Sequence, residues 1–331
     1  MGLADVFNSD VFSVQSLTSA INKLPHKPSR IGDMGLFTEQ GVRTTTVVLE
    51  EKDGLLSLLP TKQRGAPSSV GTGEKRTARS FTIPHIPYDD AIMADDVLNL
   101  RAFGSETELA SVSSTVNDRL TRMKQEHEVT LEHLRIGAVK GVILDADGAT
   151  ELFDLFALYG ISQTTVDFAL DQSATIVRAK CLESIREIEV QLGAAPYDHI
   201  HAFCGADFMD SLIDHDDVRI AYARYQDGSA LRDDPRGGFT FAGITFEEYR
   251  GAVGGIDFVS AEEAHLFPVG TPNLFLTYFA PANFMEAVGT VGLPLYAKKA
   301  MMKLDIGVQL HTQSNPLPLC TRPATLIKAT V

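Results

Sequence analysis

Cysteine is scarce in this sequence of 331 residues. The three cysteines, Cys181, Cys204 and Cys320, are widely spaced and odd in number. A disulfide framework needs paired cysteines and a closed zinc site needs clustered ligands, so the sequence excludes both. We therefore expect a protein of a reducing compartment.

Long hydrophobic runs are also missing. The longest uncharged stretch, from Leu266 to Met285, is broken by prolines and a glycine, so it cannot form a membrane-spanning helix. The N-terminal residues MGLADVFNSDVFS lack the basic start and continuous apolar segment of a secretory signal. We expect no membrane partner and a protein that stays in the cytoplasm where it is made.

Basic residues are outnumbered by acidic ones. Lys and Arg total 29 against 43 Asp and Glu, which gives a net charge of −14. A field of this sign repels phosphate backbones, which argues against dedicated nucleic-acid binding. Hydrophobic residues make up 44% of the chain, an ordinary globular composition with enough material for a large core.

Catalytic motifs are absent as well. The sequence has neither common glycine-rich phosphate loop and no Gly-x-Ser-x-Gly turn. His127 and His133 are six residues apart, whereas the two histidines of a zinc-protease helix are four apart, so they point to different faces. Asp145 and Asp147 begin like a calcium loop without its closing glutamate, and an Asp-Gly hairpin turn is the better prediction. We assign no metal and no cofactor.

One catalytic alternative stays open at a predicted strand. His199 and His201 share a face of that strand, and Cys204 follows them. A cytosolic α/β hydrolase would need Cys204, His201 and a carboxylate to converge in the fold. No orienting carboxylate stands at a compelling spacing, so packing at a strand end is the preferred interpretation and we expect no enzyme.

The N-terminal quarter lacks the pattern of a self-contained core. Residues 1–30 show no sustained period and predict an extended arm, and residues 42–88 predict a long projecting β-loop with a second strand at 55–59. Near its tip this loop has five basic residues and a single acidic one, which favours head-to-tail contact between identical subunits. The basic residues are Lys62, Arg64, Lys75, Arg76 and Arg79, and the apolar strand contacts that follow are Phe81 and Ile83.

Apolar residues at three- and four-residue intervals predict one long helix over about 105–140, roughly 50 Å long at 1.5 Å per residue. A single amphipathic stripe of that length is expected to lie across a sheet. Its core residues are Leu109, Val112, Val116, Leu120 and Met123, and His127 continues the same stripe.

The remaining residues predict alternating helices and strands. TELFDLFALYGI (150–161) is typical of paired strands. Helices over about 174–192 and 207–225, with a strand between them, indicate an α/β subdomain. The last strands, from 304 onward, are expected to rejoin the sheet beside the long helix.

Segments of the C-terminal third resemble a known family. They are ITFEEYRG (244–251), FPVGTPNLFLTYFAPANF (267–284), VGTVGLPLYAKK (288–299) and LDIGVQLHTQSNPLPLCTRP (304–323). Their order and their Pro, Gly and Tyr spacing resemble the major capsid protein E family of lambda-like tailed bacteriophages. The upstream order of arm, loop, long helix and turned strands is compatible with that family over essentially the whole chain.

The resemblance implies an α+β fold, the Hong Kong ninety-seven type capsid fold. Its parts would be an N-terminal arm (1–41), an extended β-hairpin loop (42–88), a peripheral domain with the spine helix and a β-sheet (89–173 and 304–331), and an α/β axial domain (174–303). It also implies a major capsid protein whose copies form the hexamers and pentamers of an icosahedral shell around double-stranded DNA. A cellular nanocompartment shell protein of the same fold is the alternative.

The resemblance further implies partners and a location. These are other copies of the chain, a scaffold protein, a portal, a decoration protein and packaged DNA held without sequence specificity, in a virion assembled in the bacterial host cytoplasm. Because the chain has no long helical extension at its N-terminus, we expect the scaffold to be a separate protein. The expected partners of the basic loop are acidic residues of a neighbour's peripheral domain: Asp95, Asp96, Glu126, Glu128 and Glu132.

Overall fold

The computed structural model describes residues 13–23, 29–52, 76–98, 108–223, 238–253 and 255–331. Among these residues the helices are α1 (Val14–Lys23), α2 (Arg30–Met34), α3 (Ala94–Leu98), α4 (Glu108–Lys140), α5 (Leu155–Tyr159), α6 (Val177–Leu192), α7 (Ala206–Asp214) and α8 (Asp216–Ala223).

The strands of the described residues are mostly short. They are β1 (Thr38–Gly41), β2 (Thr46–Lys52), β3 (Arg76–Thr82), β4 (Ile86–Met93), β5 (Val142–Leu144), β6 (Glu151–Asp154), β7 (Thr164–Asp167), β8 (His199–Cys204), β9 (Phe239–Phe241), β10 (Ile244–Glu248), β11 (Ala252–Val253), β12 (Ile256–Asp257), β13 (Glu263–Val269), β14 (Phe275–Phe279), β15 (Tyr296–Met301), β16 (Gly307–Ser314), β17 (Pro316–Cys320) and β18 (Ile327–Thr330). Together with the helices they form two compact units.

The first unit has its described residues within 1–47, 81–134 and 276–318. Its main sheet has the order β15–β16–β4, with β16 antiparallel to both neighbours. The predicted long helix is α4, and its apolar stripe packs against this sheet because leucine, valine and methionine recur on one face. The shared buried cluster includes Val116, Leu120 and Met123 of α4, Ile92 of β4, and Val308 and Leu310 of β16.

A helix, α1, lies where the sequence predicted an extended arm. Leu17 and Ile21, one turn apart, are buried in the same cluster as the α4 stripe. The Thr18 hydroxyl accepts the N–H of Ala297 at 3.2 Å, and the Asn22 amide donates to the carbonyl of Leu295 at 2.9 Å. The prediction of an extended arm is therefore wrong for 14–23, because packing against the start of β15 stabilises a helix too short to show a sustained period.

The predicted β-loop is described only at its base. β2 pairs with β3, whereas the sequence predicted a partner at 55–59, which lies outside the described residues. The N–H of Ile83 donates to the carbonyl of Thr45 at 2.9 Å and continues the pairing. Two extended segments of the loop are thus joined where they leave the first unit.

The second unit has its described residues within 48–80, 135–275 and 319–331. Its six-stranded mixed sheet has the order β7–β18–β13–β8–β10–β9. β8 and β10 are parallel, and β13 is antiparallel to β8 and β18. Apolar side chains of α6 and α7 pack with one face of this sheet in a single buried cluster. This unit has the predicted α/β composition.

Two local predictions need correction. β5 and β6 do pair across the Asp-Gly turn, but 155–159 is the helix α5 and not a strand. The Asp154 carboxylate accepts the N–H of Ala157 at 3.1 Å at its start, and Gly160 adopts a left-handed φ of 66° at its end. The helix predicted over 207–225 is two helices, α7 and α8, which are separated at His215.

The C-terminal strands separate between the two units. β16 lies in the sheet of the long helix, as predicted. β18 instead pairs with β13 and, in parallel, with β7. The expectation that all late strands rejoin the sheet beside the long helix is therefore wrong for 327–330.

Candidate assembly interface

The buried stripe of α4 includes a neutral histidine. His127 Nε2 lies 3.0 Å from the hydroxyl of Thr312 on β16. Burial, and after it the nearby His311, lowers the pKa of His127 to about 4. The ring is therefore uncharged at neutral pH and takes part in the core, as its place on the predicted stripe indicates.

Two of the five expected acidic residues, both on α4, are buried or half-buried and have partners inside their own subunit. Glu132 is buried, and its Oε1 accepts the N–H of Ile31 in α2 at 2.8 Å. Glu128 Oε1 lies 3.6 Å from Lys124 Nζ one helical turn away. The expectation that Glu132 faces a neighbour is wrong, because helix α2 covers its carboxylate.

The other three acidic residues are exposed. Glu126 projects from α4, and Asp95 and Asp96 begin α3. Asp96 Oδ2 lies 3.6 Å from Arg119 Nη2, and Arg119 Nη1 is 3.4 Å from Asp90. A surface with two aspartates beside one arginine retains excess negative charge, which suits a basic partner.

Three of the expected loop contacts are also internal. Arg79 Nε donates to the carbonyl of Leu158 at 3.0 Å, and the guanidinium carbon lies 4.3 Å from the ring centre of Tyr159. Phe81 and Ile83 are buried within the chain. The expectation that Phe81 and Ile83 reach a neighbour is wrong, because both side chains are buried in their own subunit. A contact of the half-exposed Arg79 with a neighbour stays a prediction.

The rest of the expected loop tip and part of the helix stripe cannot be placed. Lys62, Arg64 and Lys75 lie outside the described residues, as do the side chains of Arg76, Leu109 and Val112.

The sheet of the second unit argues against the alternative of a hydrolase site built from Cys204 and His201. Side chains alternate along β8, so Cys204 faces the helix-covered cluster while His201 lies on the opposite face against Phe267. Burial raises the pKa of the Cys204 thiol well above its usual range, which disfavours a nucleophilic thiolate. Cys204 and His201 therefore do not converge.

His201 does have a carboxylate partner that the sequence did not reveal. Its Nε2 lies 3.1 Å from Glu247 Oε2, and both side chains are buried. Their proximity follows from the parallel register of β8 and β10, which places Thr245 opposite His201. Sequence spacing does not determine such a register, so no motif could have identified the pair.

The carboxylate of Asp147 stabilises the Asp-Gly turn through hydrogen bonds within the turn itself. Asp147 accepts from the backbone N–H groups of Ala149 and Thr150 and from the Thr150 hydroxyl at 2.6 to 2.9 Å. These hydrogen bonds lower the pKa of Asp147 to about 2, and the bond from the Thr150 hydroxyl has the largest effect.

The described part of the chain contains no group of three or more His, Cys, Asp or Glu placed to hold a metal ion. None of its helices is long and apolar enough to cross a membrane.

Known proteins similar to this chain share its length as well as its sequence. The major capsid protein of Pseudomonas phage KPP10 is 28% identical over 96% of both chains. The major capsid protein of Salmonella phage Felix O1 is 26% identical over 96% of this chain and 95% of its own.

A solved structure shows the same fold. The capsid protein of Myoviridae phage XM1 superposes with a TM-score of 0.52 at 6% identity, covering 93% of this chain and 94% of the other. Residues 13–331 also match the sequence pattern of the family described as Phage major capsid protein E. The chain belongs to this family and is a bacteriophage major capsid protein with the Hong Kong ninety-seven type fold.

Proposed function

We propose that copies of this chain assemble into the hexamers and pentamers of an icosahedral shell that encloses double-stranded DNA. The family match over 13–331 carries this proposal, and the likeness to the XM1 capsid fold supports it. Both relatives named above are phage proteins, which favours a phage shell over a cellular nanocompartment. The role is structural and not enzymatic. The separate faces of Cys204 and His201 are consistent with that role.

The shell has further partners in this proposal. A separate scaffold protein guides assembly in the bacterial host cytoplasm, a portal occupies one vertex, and a decoration protein binds outside. The DNA is held without sequence specificity, which agrees with the net charge of −14.

The subunit is divided into four parts. The arm is 1–41, the extended loop is 42–88, the peripheral domain is 89–173 with 304–331, and the axial domain is 174–303. The pairing of β18 with β13 and with β7 supports moving 164–167 and 327–330 to the axial domain. The pairing of β15 with β16 supports moving 296–301 to the peripheral domain.

The assembly proposal is tested by expressing the chain with and without its scaffold. Sedimentation and electron microscopy over a concentration series should show rings and closed shells. A protein that remains a monomer at every concentration and with scaffold present would contradict the proposal. The variant Leu120→Asp serves as a control. Because it disrupts the buried cluster between α4 and its sheet, it should form no shells if assembly requires the folded subunit.

We also propose that the basic part of the extended loop binds a neighbour's acidic surface. The reversal of Arg64, Lys75 and Arg76 to Glu should leave the subunit folded but raise the protein concentration needed for capsomers. Each exposed pair contributes only about 0.2 to 1 kcal/mol, but a closed ring repeats it in every subunit. Reversal of Asp95 and Glu126 to Lys in the same chain should partly restore assembly. Normal assembly of the triple variant at moderate salt would show that these charges are ordinary surface.

A further inference from the structure

A preformed apolar groove lies at the start of β15. It is a cavity of about 1170 Å³ between α1 and the segment 286–296, and its apolar lining includes Val14, Ala287, Val291, Leu293 and Pro294. Small-molecule pockets measure roughly 300 to 1,000 Å³, so this groove has room for a short stretch of polypeptide.

The segment 285–293 beside the groove, here called its rim, carries apolar side chains that the described residues leave exposed. Met285 is 89% exposed and Val288 is 74% exposed, and Val291 and Leu293 are nearly half exposed. Contiguous exposed apolar residues on a soluble protein are typical of an interaction surface.

Hydrogen bonds hold the rim in one shape. The Tyr296 hydroxyl accepts the N–H of Leu293 at 2.9 Å, and the N–H of Gly292 donates to the carbonyl of Val42 at 2.8 Å. The groove therefore requires little ordering when a partner binds.

A convex apolar feature lies at the other end of β15. The turn between β15 and β16 contains Leu304, which is 93% exposed, and Ile306, which is about half exposed. Leu304 and Asp305 have left-handed φ angles of 64° and 53°. Asparagine and glycine are favoured in such a turn, so leucine is a locally unfavourable choice, and the described residues leave its side chain almost fully exposed.

The turn and the groove cannot meet within one subunit. Tyr296 and Met301 bound β15, and five steps of about 3.3 Å separate the two features by at least about 17 Å. One feature is convex and the other concave, so complementary contact requires two copies in a head-to-tail arrangement. The local charges permit it, because the exposed Lys303 and Asp305 balance each other at the turn and Glu286 pairs with Lys298 at 2.8 Å beside the groove.

We propose that the turn containing Leu304 and Ile306 of one copy docks into the groove between α1 and 285–293 of a second copy. This inference rests on the proposed function, since it names one surface through which copies of the chain associate. A contact of this kind is heterologous, so it can be repeated from subunit to subunit around a closed assembly.

Cysteine cross-linking within assembled shells tests the docking. The double variant Leu304→Cys with Val291→Cys is assembled, checked by electron microscopy and treated with a short bismaleimide. The three native cysteines are buried and contribute little background. Denaturing gels should show covalent oligomers larger than a dimer, because each copy links through its turn to one neighbour and through its groove to another.

The outcomes separate this inference from the proposed function. Shells without cross-links, or cross-links from Leu304→Cys alone, would overturn the docking while leaving the shell intact. Cross-links between Leu304→Cys and Val190→Cys, an exposed position of the second unit, would show crowding and would also overturn it. A native chain that forms no shells would contradict the proposed function itself.

A second variant makes the same test without cross-linking. Leu304→Asn suits the left-handed backbone and removes the apolar side chain, so the subunit should unfold at the same temperature or higher. The concentration at which shells appear should nevertheless rise roughly tenfold or more, since a central apolar contact is lost in each subunit. Val190→Asn is the matched control. Assembly of Leu304→Asn at the native concentration would overturn the proposal.

Discussion

At the residue scale, Leu120 shows how strongly the α4 stripe depends on apolar burial. It is 1% exposed and belongs to the cluster that joins α4 to β4 and β16. We expect Leu120→Asp to destabilise the subunit by more than the roughly 2 to 5 kcal/mol of a Leu→Ala change, because the new carboxylate is also left uncompensated. Soluble yield and denaturant unfolding measure the effect. Glu126→Gln, on the exposed face of the same helix, should change stability by less than about 0.5 kcal/mol. Equal yields of the two variants would mean that the buried face is wrongly assigned.

His127 makes the stability of the first unit depend on pH. Its pKa of about 4 in the folded chain lies below the ordinary value of 6.5, so the unfolded chain binds the proton more readily. The stabilising effect of the neutral ring is complete above pH 6.5 and is lost as the pH falls toward 4. At pH 5 the loss is about 2 kcal/mol.

A variant separates the effect of His127 from the pH dependence of the rest of the chain. His127→Gln retains a side chain that can bond to Thr312 but does not titrate. Its unfolding free energy should fall less between pH 7 and pH 5 than that of the native chain. An identical fall in both proteins would contradict the buried, neutral histidine.

Some residue positions could be predicted from sequence and others could not. The α4 stripe could be predicted, because three- and four-residue spacing places Val116, Leu120 and His127 on one helix face regardless of which element packs against it. The internal roles of Arg79 and Glu132 could not, because each depends on a partner distant in the chain, at Leu158 and Ile31.

At the element scale, strand β1 docks through a close backbone approach. A Cβ on Gly41 would lie 2.3 Å from the carbonyl oxygen of Gly292 and 2.6 Å from Val291 Cγ1. We expect Gly41→Ala to push these backbones apart at a cost of about 1 to 3 kcal/mol. Denaturant midpoints compare it with Gln40→Ala, an exposed change in the same strand. A midpoint for Gly41→Ala equal to that of the control would show that the strand can shift freely.

The sequence predicts whether a segment is a helix or a strand where its composition and its capping residues agree. The prediction is wrong where these two signals favour different structures. For 155–159, aromatic and aliphatic content favoured a strand, yet Asp154 and Gly160 cap a helix. For α1, ten residues are too few to show a sustained period, and burial of Leu17 and Ile21 on the sheet decided the outcome.

At the scale of the whole molecule, net charge governs the response to DNA. A chain of charge −14 offers few fixed cations to phosphates. We expect the isolated subunit to bind duplex DNA with a Kd weaker than about 1 µM at physiological salt, without sequence preference. Fluorescence anisotropy with two unrelated duplexes over a salt series measures this affinity. Nanomolar binding to one duplex only would indicate a regulatory protein instead.

The position of β18 in the chain also determines when the sheet of the second unit can be completed during translation. β7 at 164–167 lies at the edge of the described six-stranded sheet, and its neighbour there, β18, is translated some 160 residues later. At about 5 to 20 residues per second, β7 waits roughly 10 to 30 s for its partner. The second unit is therefore completed only after residues 327–330 have been translated. A nascent chain that ends before β18 leaves the neighbouring edges of β7 and β13 unpaired, so we expect only chains translated past residue 330 to join a growing shell.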